Sequence, residues 1–153
     1  MKVEALLRSK GNRIVAIGMA TTVEGAARLL KTENIGAVVV KDSCGTEGDA
    51  LLGILSERDI VRAIADRGAR ALRQQVGELM SRTLVSCAPL DETEDVVGLM
   101  HKHHVRHVPV LQGGALIGII SVRDLLGFAV GGGTSVAPPH RRSPDNAAPG
   151  DDP

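Results

Sequence analysis

Hydrophobic and polar positions along this chain predict short strands and helices, in an order that runs through the chain twice. The first pass predicts, in order, a helix at 3–9, a strand at 14–17, a helix at 23–33, strands at 35–40 and 51–55, and a helix at 57–67. Residues 35–40 are rich in β-branched side chains, as in a strand that is buried on both faces. In the last helix we expect Ile60, Val61 and Ile64 to face inward.

The second pass repeats this order with small changes in length. It predicts a helix start at 76–80, a strand at 84–85, a helix from Thr93 that carries Val96, Val97, Leu99 and Met100, strands at 105–111 and 116–120, and a helix at 122–130. The offset between the copies is 70 residues before the turn at 112–114 and 65 after it, so this turn is five residues shorter than the polar loop at 41–49. Such a length change belongs in a surface hairpin, which makes the alignment physically reasonable.

The pattern therefore contains two copies of a β-α-β-β-α unit, one in residues 1–70 and one in residues 71–130. Each copy alone has too few strands for a stable sheet. We predict an α/β fold in which the two repeats pack about a pseudo-twofold axis and leave two equivalent clefts. From Gly131 onward the chain is rich in Gly, Pro and Asp and cannot bury apolar area, so residues 131–153 are predicted to form a disordered tail.

One short motif stands at the same place in both repeats. Residues 53–59 read Gly-Ile-Leu-Ser-Glu-Arg-Asp, and residues 118–124 read Gly-Ile-Ile-Ser-Val-Arg-Asp. Serine followed three positions later by a carboxylate predicts a capping box at a helix start. The hydroxyl and the carboxylate would also lie beside exposed backbone amides, where anions are favoured. Since many other residues cap helices equally well, the repeated Ser-x-Arg-Asp indicates a binding site.

Composition narrows the class of function. Phe128 is the one aromatic residue among 153, which argues against modules that stack bases or sugars on rings. Lys plus Arg and Asp plus Glu both number 18, so no overall field attracts nucleic acid or an anionic membrane. No apolar run reaches the roughly 20 residues that span a bilayer, and the N-terminus lacks the apolar region of a signal peptide. We expect a soluble cytoplasmic protein with no nucleic-acid or membrane partner.

Other candidate chemistry is sparse. Cys44 and Cys87 lack a metal-binding spacing, which indicates two unrelated reduced thiols. Four histidines near one helix end lack an acidic or thiol ligand at a convincing spacing, which favours exposed helix-end residues over a metal site. These are His101, His103, His104 and His107. No nucleophile stands with a base and an orienting acid at a recognisable spacing, so we do not expect an enzyme.

The duplicated motifs resemble a tandem pair of CBS (cystathionine β-synthase-type) domains, the Bateman module, of the stand-alone bacterial type. The strand-Gly-φ-φ-Ser-x-x-Asp motif occurs twice, and Val105-Arg106-His107-Val108-Pro109-Val110 is similar to a strand common in the family. The resemblance covers about residues 3–130. It implies the fold described above, an adenosine ligand such as AMP, ADP, ATP, S-adenosylmethionine or NAD, and frequent assembly into homodimers.

The resemblance also implies roles for the motif residues. Asp59 and Asp124 would accept hydrogen bonds from ribose hydroxyls, which are donors. Ser56 and Ser121 would offer their hydroxyls to ribose or phosphate. The side chains expected to meet phosphate are Arg58, Arg106, His107 and Arg123, since a guanidinium forks onto phosphate oxygens.

The purine is expected between apolar strand edges near Val15, Ile17 and Val85. Gly36 and Ala37 take the place of Arg106 and His107 in the first repeat, and their small size would let the ligand approach closely. Because only the second repeat supplies this cationic pair, the two clefts should differ in affinity or in the preferred number of phosphates.

The sequence therefore predicts a non-catalytic, regulatory or energy-sensing module that binds an adenine nucleotide and reports it to an unidentified protein partner. AMP, ATP or NAD is favoured over S-adenosylmethionine, because the arginines suit phosphate. Two alternatives from other classes stay open: a dimerisation scaffold with empty clefts, and a redox or metal sensor that uses the cysteines or the histidines.

Overall fold

A computed structural model of the chain describes residues 1–11, 13–42, 50–82 and 85–131. The first repeat contains α1 (Val3–Lys10), β1 (Ala16–Gly18), α2 (Val23–Glu33), β2 (Ala37–Asp42), β3 (Ala50–Ser56), α3 (Glu57–Arg67) and a 3-10 helix (Gly68–Arg73). The second contains α4 (Val76–Leu79), α5 (Thr93–His103), β4 (His107–Gln112), β5 (Ala115–Ser121) and α6 (Val122–Gly131). No described helix is both long enough and apolar enough to cross a bilayer.

The strands form two small sheets, one in each repeat. In the first, β1 pairs with β2 in parallel and β2 pairs with β3 antiparallel, with Val38 opposite Leu55. In the second, β4 pairs antiparallel with β5, with Val108 opposite Ile120. The register shifts after Val40 in one hairpin and after Val110 in the other, which are equivalent positions. The predicted α/β fold of two related repeats is confirmed.

The helix predictions match the structure closely. Helix α2 spans 23–33 and α3 spans 57–67, as the periodicity predicts. Each begins where a side-chain oxygen accepts a hydrogen bond from a backbone N–H of the first turn, at Thr22 and at Ser56. The strand predictions are correct in number for the two hairpins. The first strand of each hairpin is predicted to begin too early, since β2 starts at Ala37 and β4 at His107, whereas β3 and β5 each extend one residue beyond both predicted ends. Likewise, β1 starts at Ala16, two residues later than predicted.

The inward face of α3 differs from the prediction. In α3 the buried side chains are Ile60 and Ala63, whereas Val61 is 64% exposed and Ile64 is also exposed. In α5, Val97 is exposed beside buried Val96. An aliphatic residue next to a buried one is not necessarily on the packed face, because a helix turns by about 100° per residue.

Of the strand predicted at 84–85, the structure describes Val85, and for this residue the prediction is wrong. Leu84 lies outside the described residues, and Val85 is not in a strand. The pairing occurs two residues further on, where Cys87 bridges to β4: its N–H donates to the Pro109 carbonyl at 3.0 Å and its carbonyl accepts from Leu111 N at 2.9 Å. The polar loop at 43–49 and the tail beyond Gly131 also lie outside the described residues.

Two aliphatic cores form, and each receives a helix from the other repeat. Val3 and Leu6 of α1 are buried with Val96, Val108 and Ile120 of the second repeat. Val76 of α4, together with Met80 just after it, is buried with residues of α2, β2, β3 and α3. The leading helices are therefore exchanged between the repeats. The division into residues 1–70 and 71–130 stays a prediction, and the packing of α1 and α4 crosses it.

Equivalent backbone contacts fix the exchanged helices in place. Val3 N–H donates to the Asp91 carbonyl at 2.9 Å, just before α5, and Val76 N–H donates to the Thr21 carbonyl at 2.8 Å, just before α2. Gly53 of β3 leaves no room for a side chain, since a Cβ there would lie 2.7 Å from the Ser81 carbonyl oxygen. A Cβ on Gly118 of β5 would lie 2.7 Å from Leu7. These contacts hold the two repeats in a pseudo-twofold arrangement.

Candidate functional site

Helix α3 begins with a complete capping box. The Ser56 N–H and hydroxyl both donate to Asp59 Oδ2, at 2.9 and 3.0 Å, and the Asp59 N–H donates to Ser56 Oγ at 3.3 Å. The carboxylate is thereby held in one orientation at the positive end of the helix. Both side chains are partly buried, and Asp59 forms no salt bridge within the described residues.

Helix α6 begins with the same box but a different neighbour. Ser121 N–H donates to Asp124 Oδ2 at 2.8 Å, and Asp124 N–H donates to Ser121 Oγ at 3.1 Å. Here Lys10 Nζ also lies 2.7 Å from Asp124 Oδ2. The two predicted caps are confirmed, and their carboxylates differ in charge environment.

A cavity of about 260 Å³ opens between the repeats at the start of α3. One side comes from the end of β3 and the first turns of α3, and the other from the segments that surround α4 and β4. The lining residues are Gly36, Ile54, Ser56, Glu57, Arg58, Asp59, Arg62, Ser81, Val85, His104, Val105, Arg106, His107 and Pro109. We call this cavity the Ser56 cleft.

Several predicted site residues come together in the Ser56 cleft. They are Gly36, Ser56, Arg58, Asp59, Val85, Arg106 and His107. The cleft thus combines the hydroxyl and carboxylate of the first repeat with the cationic strand start of the second, because the pseudo-twofold packing sets the start of α3 against β4.

Other predicted residues do not line the cleft. They are Val15, Ile17, Ala37, Ser121, Arg123 and Asp124. Val15 and Ile17 pack against the first core, and Ala37 is buried in β2, so these three stabilise the fold around the site. The expectation of two equivalent clefts stays a prediction, but the two capping boxes differ: Asp59 lines the Ser56 cleft, whereas Asp124 pairs with Lys10 and lines neither this cleft nor the cavity between α1 and β5.

Guanidinium groups gather at the Ser56 cleft. Arg58 and Arg62 lie on α3 and Arg106 precedes β4, while the acids on the same lining are Glu57 and Asp59. The sequence analysis missed Arg62, although its position four residues after Arg58 places both on one helix face. The lining can therefore offer forked donors to an anion and a carboxylate acceptor to hydroxyl groups.

The other residues that the sequence analysis missed are mostly contributed by the second repeat. They are Ile54, Glu57, Ser81, His104, Val105 and Pro109. Ile54 and Glu57 adjoin or begin α3 in the sequence, whereas only the packing of the repeats brings the other four to α3, so no local pattern marks those four.

His107 lies where the two repeats meet. A Cβ on Gly36 would lie 3.2 Å from its ring atoms Cε1 and Nε2, so a side chain at position 36 would crowd the imidazole. Burial lowers the pKa of His107 below its ordinary value of 6.5, because the imidazolium loses its hydration. The carboxylates of Asp124 and Glu57 oppose this shift, whereas the cations Lys10 and Arg123 add to it. Charges from the starts of both α3 and α6 therefore act on His107.

The described residues give little support to the metal-sensor and redox-sensor alternatives. No group of three His, Cys, Asp or Glu side chains in this part of the chain is placed to hold a metal ion. His101, His103 and His104 are exposed at the end of α5, as expected. Cys87 is buried, and its desolvation raises the pKa of the thiol from 9.0 to about 11. Cys44 lies outside the described residues.

Comparison with known families shows which family this chain belongs to. The family model for the CBS domain matches twice, at residues 8–66 and 76–131. The chain belongs to the CBS-domain family. The two matches correspond to the two repeats of the structure, so the chain carries a tandem CBS pair.

Individual relatives agree with this assignment. The chain is 34% identical over 113 residues to the CBS domain-containing protein YhcV of Bacillus subtilis, which covers 74% of this chain and 76% of that protein. The crystal structure of the CBS-domain containing protein ATU1752 from Agrobacterium tumefaciens superposes with a TM-score of 0.80 at 38% identity, covering 85% of this chain and all of that one. The CBS domain pair of protein MJ0100 shares the fold, with a TM-score of 0.73 at 22% identity, over 86% of this chain and 98% of that one.

Proposed function

We propose that this CBS pair binds one adenosine nucleotide in the Ser56 cleft, without catalysing a reaction, and that the bound nucleotide regulates a protein partner. The observation that carries the proposal is the position of Asp59, an acid fixed by its own helix cap, free of ion pairs in the described structure, and on the wall of an open cavity.

The carboxylate of Asp59 suits a ribose. Both ribose hydroxyls are donors, and an ionised carboxylate is an acceptor only. One oxygen, Oδ2, already accepts from Ser56, which leaves Oδ1 and the remaining lone pairs available. Because the capping box fixes the carboxylate before the ligand arrives, binding costs little side-chain entropy there.

The arginines of the cleft suit phosphate. Arg58 and Arg62 lie on α3 of the first repeat and Arg106 precedes β4 of the second, so a phosphate between them can be held from both repeats. This supports AMP, ADP, ATP or NAD over a ligand without phosphate. Val85, Ile54 and Pro109 supply apolar surface for a purine.

A distant structural neighbour offers a related ligand class. The MJ0100 domain pair was solved in complex with 5′-methylthioadenosine and S-adenosyl-L-methionine, two adenosine compounds. At 22% identity the likeness concerns the fold, and the ligand of the present chain is argued from its own residues. We propose that the ligand of the present chain differs from these two compounds in carrying phosphate, because Arg58, Arg62 and Arg106 line its cleft.

Regulation follows from the site lying between the repeats. A nucleotide that contacts Asp59 in one repeat and Arg106 in the other favours the relative orientation in which both contacts form. A partner protein that distinguishes two orientations would then be coupled to the nucleotide.

A thermal-shift assay with AMP, ADP, ATP, NAD and S-adenosylmethionine tests the binding proposal. A ligand at 100 times its Kd stabilises the folded chain by about 2.7 kcal/mol, which raises Tm by several degrees. We expect a shift with at least one phosphorylated nucleotide and its loss in Asp59→Asn. The matched control is Asp66→Asn, an exposed acid on the same helix, which should keep the shift. No shift with any nucleotide would contradict the proposal.

A dimerisation scaffold is the second candidate, and one observation favours it. Val61 on α3 and Leu126 on α6 are equivalent positions of the two repeats, and both are more than half exposed. Paired aliphatic residues on the two helices suit a contact with a second copy of the chain. A dimer in sedimentation experiments without any nucleotide shift would support the scaffold, whereas a dimer with a shift fits a nucleotide-regulated homodimer.

A further inference from the structure

The two equivalent aspartates of the CBS pair have different partners. Asp59 lines the Ser56 cleft and forms no salt bridge within the described residues. Asp124 lies 65 positions later in the same motif, and its Oδ2 is 2.7 Å from Lys10 Nζ. Lys10 and Asp124 are only 27% and 23% exposed, so this pair is better shielded from water than an ordinary surface pair.

The Lys10 ammonium also makes a hydrogen bond that a backbone N–H makes at the equivalent place in the first repeat. In the first repeat the Ile54 carbonyl accepts a hydrogen bond from Ser81 N–H at 2.9 Å. The equivalent carbonyl in the second repeat, that of Ile119, accepts instead from Lys10 Nζ. Lys10 therefore links the end of β5 to the Asp124 carboxylate at the start of α6.

The different lengths of the exchanged helices explain the asymmetry. Helix α1 has eight residues and α4 has four, so α1 continues for an extra turn that carries Lys10 to the second capping box. Val3 and Leu6 anchor α1 in the second core, and Gly11 ends it with a positive φ of 81°, which glycine adopts easily. The position of Lys10 is thus set by a well-packed helix.

The two cavities also distinguish the two aspartates. The Ser56 cleft measures about 260 Å³ and contains Ser56 and Asp59. A second cavity, of about 210 Å³, lies between α1 and β5, and it contains neither Ser121 nor Asp124. Its lining includes Leu7, Arg8 and Ile117.

We propose that Lys10 closes the second cleft by occupying Asp124, so that the chain binds one nucleotide rather than two. The ammonium puts a positive charge and a hydrogen-bond donor on Asp124 Oδ2 before any ribose arrives, whereas the Asp59 carboxylate has no cationic partner within the described residues. A nucleotide at Asp124 would have to displace an ion pair, whereas one at Asp59 would not. This inference rests on the proposed function, since it assumes that the open cleft binds an adenosine nucleotide.

Isothermal titration of the full chain with AMP and with ATP tests this closure. We expect one site per chain in the wild type and two in Lys10→Met, which keeps the aliphatic stem and removes the donor. In the Lys10→Met background, Asp59→Asn should leave one site at Asp124, and Asp124→Asn should leave one site at Asp59. Lys10→Ala gives a second truncation in case the methionine variant folds poorly, with circular dichroism as the check on folding.

The outcomes separate this inference from the proposed function. Two sites in the wild type, or one site in both folded Lys10 variants, would overturn the closure and leave nucleotide binding intact. Loss of binding in Lys10→Met would overturn it too, because Lys10 would then be a ligand-binding residue. No site in the wild type with one in Lys10→Met would support the closure and reject binding at Asp59. No site in any variant would reject both.

Discussion

At the scale of single residues, His107 connects the two halves of the site. Its ring packs against Gly36 of the first repeat, and the charges of Glu57, Asp124, Lys10 and Arg123 all act on it. Burial is the largest of these influences and lowers the pKa of His107. The folded protein therefore favours a neutral imidazole at this position.

This shift makes the stability of the chain depend on pH. Below about pH 6.5 the unfolded chain takes up a proton at His107, and the folded chain takes it up only at lower pH, so the free energy of unfolding falls as pH falls through this window. Urea unfolding of the wild type at pH 5 to 8 should show this slope, and His107→Gln should reduce it. His101→Gln, at an exposed position, is the control that should leave the slope unchanged. An identical slope in His107→Gln would contradict the assignment.

Cys87 gives a second prediction at this scale. Its thiol is buried with a pKa of about 11, and the thiolate is the reactive form. In a Cys44→Ser variant, where Cys87 is the remaining cysteine, we expect a thiol reagent at pH 8 to label the native protein far more slowly than the urea-unfolded protein. Labelling of the native protein at the unfolded rate would contradict this burial and restore the redox-sensor alternative.

The sequence predicts the acids of the site better than their surroundings. Ser56 and Asp59 could be identified because a capping box is local, and its geometry follows from a spacing of three residues. The pairing of Lys10 with Asp124 joins residues 114 positions apart, so no local pattern signals it. The same holds for Ser81 and His104 in the cleft, which only the contact between repeats brings to α3.

At the scale of the elements, helices were predicted more accurately than strands. The bounds of α2 and α3 follow from their caps and from periodicity. The strands β2 and β4 begin two residues later than their apolar runs, because Ile35 and Val105 are apolar residues that pack from outside the ladder. Apolar runs indicate burial, whereas strand bounds depend on the partner strand.

Gly53 provides the sharpest test of the contact between elements. A Cβ there would lie 2.7 Å from the Ser81 carbonyl oxygen and 2.8 Å from Met80 Sδ. We expect Gly53→Ala to destabilise the chain by about 1–3 kcal/mol, as overpacking does, in urea unfolding. Gly118→Ala should cost less, because its close neighbour is the end of the Leu7 side chain, which can rotate.

The control for this prediction is a glycine with free space around it. Gly98 lies in α5, and no atom outside its own helix is within 4 Å of the position of its Cβ. Gly98→Ala should therefore stabilise the chain by roughly 0.5–1 kcal/mol, because alanine is the better helix former. A stabilising Gly53→Ala would show that β3 and the segment after α4 are not in contact.

At the scale of the whole molecule, the exchange of α1 and α4 ties the repeats together. The sequence predicted the duplication and the pseudo-twofold packing, because repeated motifs are visible in it. It did not predict the exchange, since Val3 and Leu6 have the same apolar pattern whichever core they enter. Each core is completed by the other repeat, which fits the expectation that neither is stable alone.

Mutations in the exchanged helices should act on the opposite repeat. Leu6 is 2% exposed in the second core, and Leu6→Ala should cost about 2–5 kcal/mol. In native-state hydrogen exchange we expect the largest loss of protection in β4 and β5. Met80→Ala is the mirror-image control, and its loss should be largest in β2 and β3. The reverse pattern would contradict the exchange of helices.

The central claim is that one nucleotide binds in the Ser56 cleft. Its most direct test is a crystal structure of the chain in complex with AMP, or with ADP, ATP or NAD if AMP does not bind. The account predicts one nucleotide per chain in the Ser56 cleft, with its ribose hydroxyls on Asp59, its phosphate toward Arg58, Arg62 or Arg106, and Lys10 still paired with Asp124. A nucleotide bound at Asp124 with the Ser56 cleft empty would contradict the account, as would a chain that takes up none of AMP, ADP, ATP and NAD at saturating concentration.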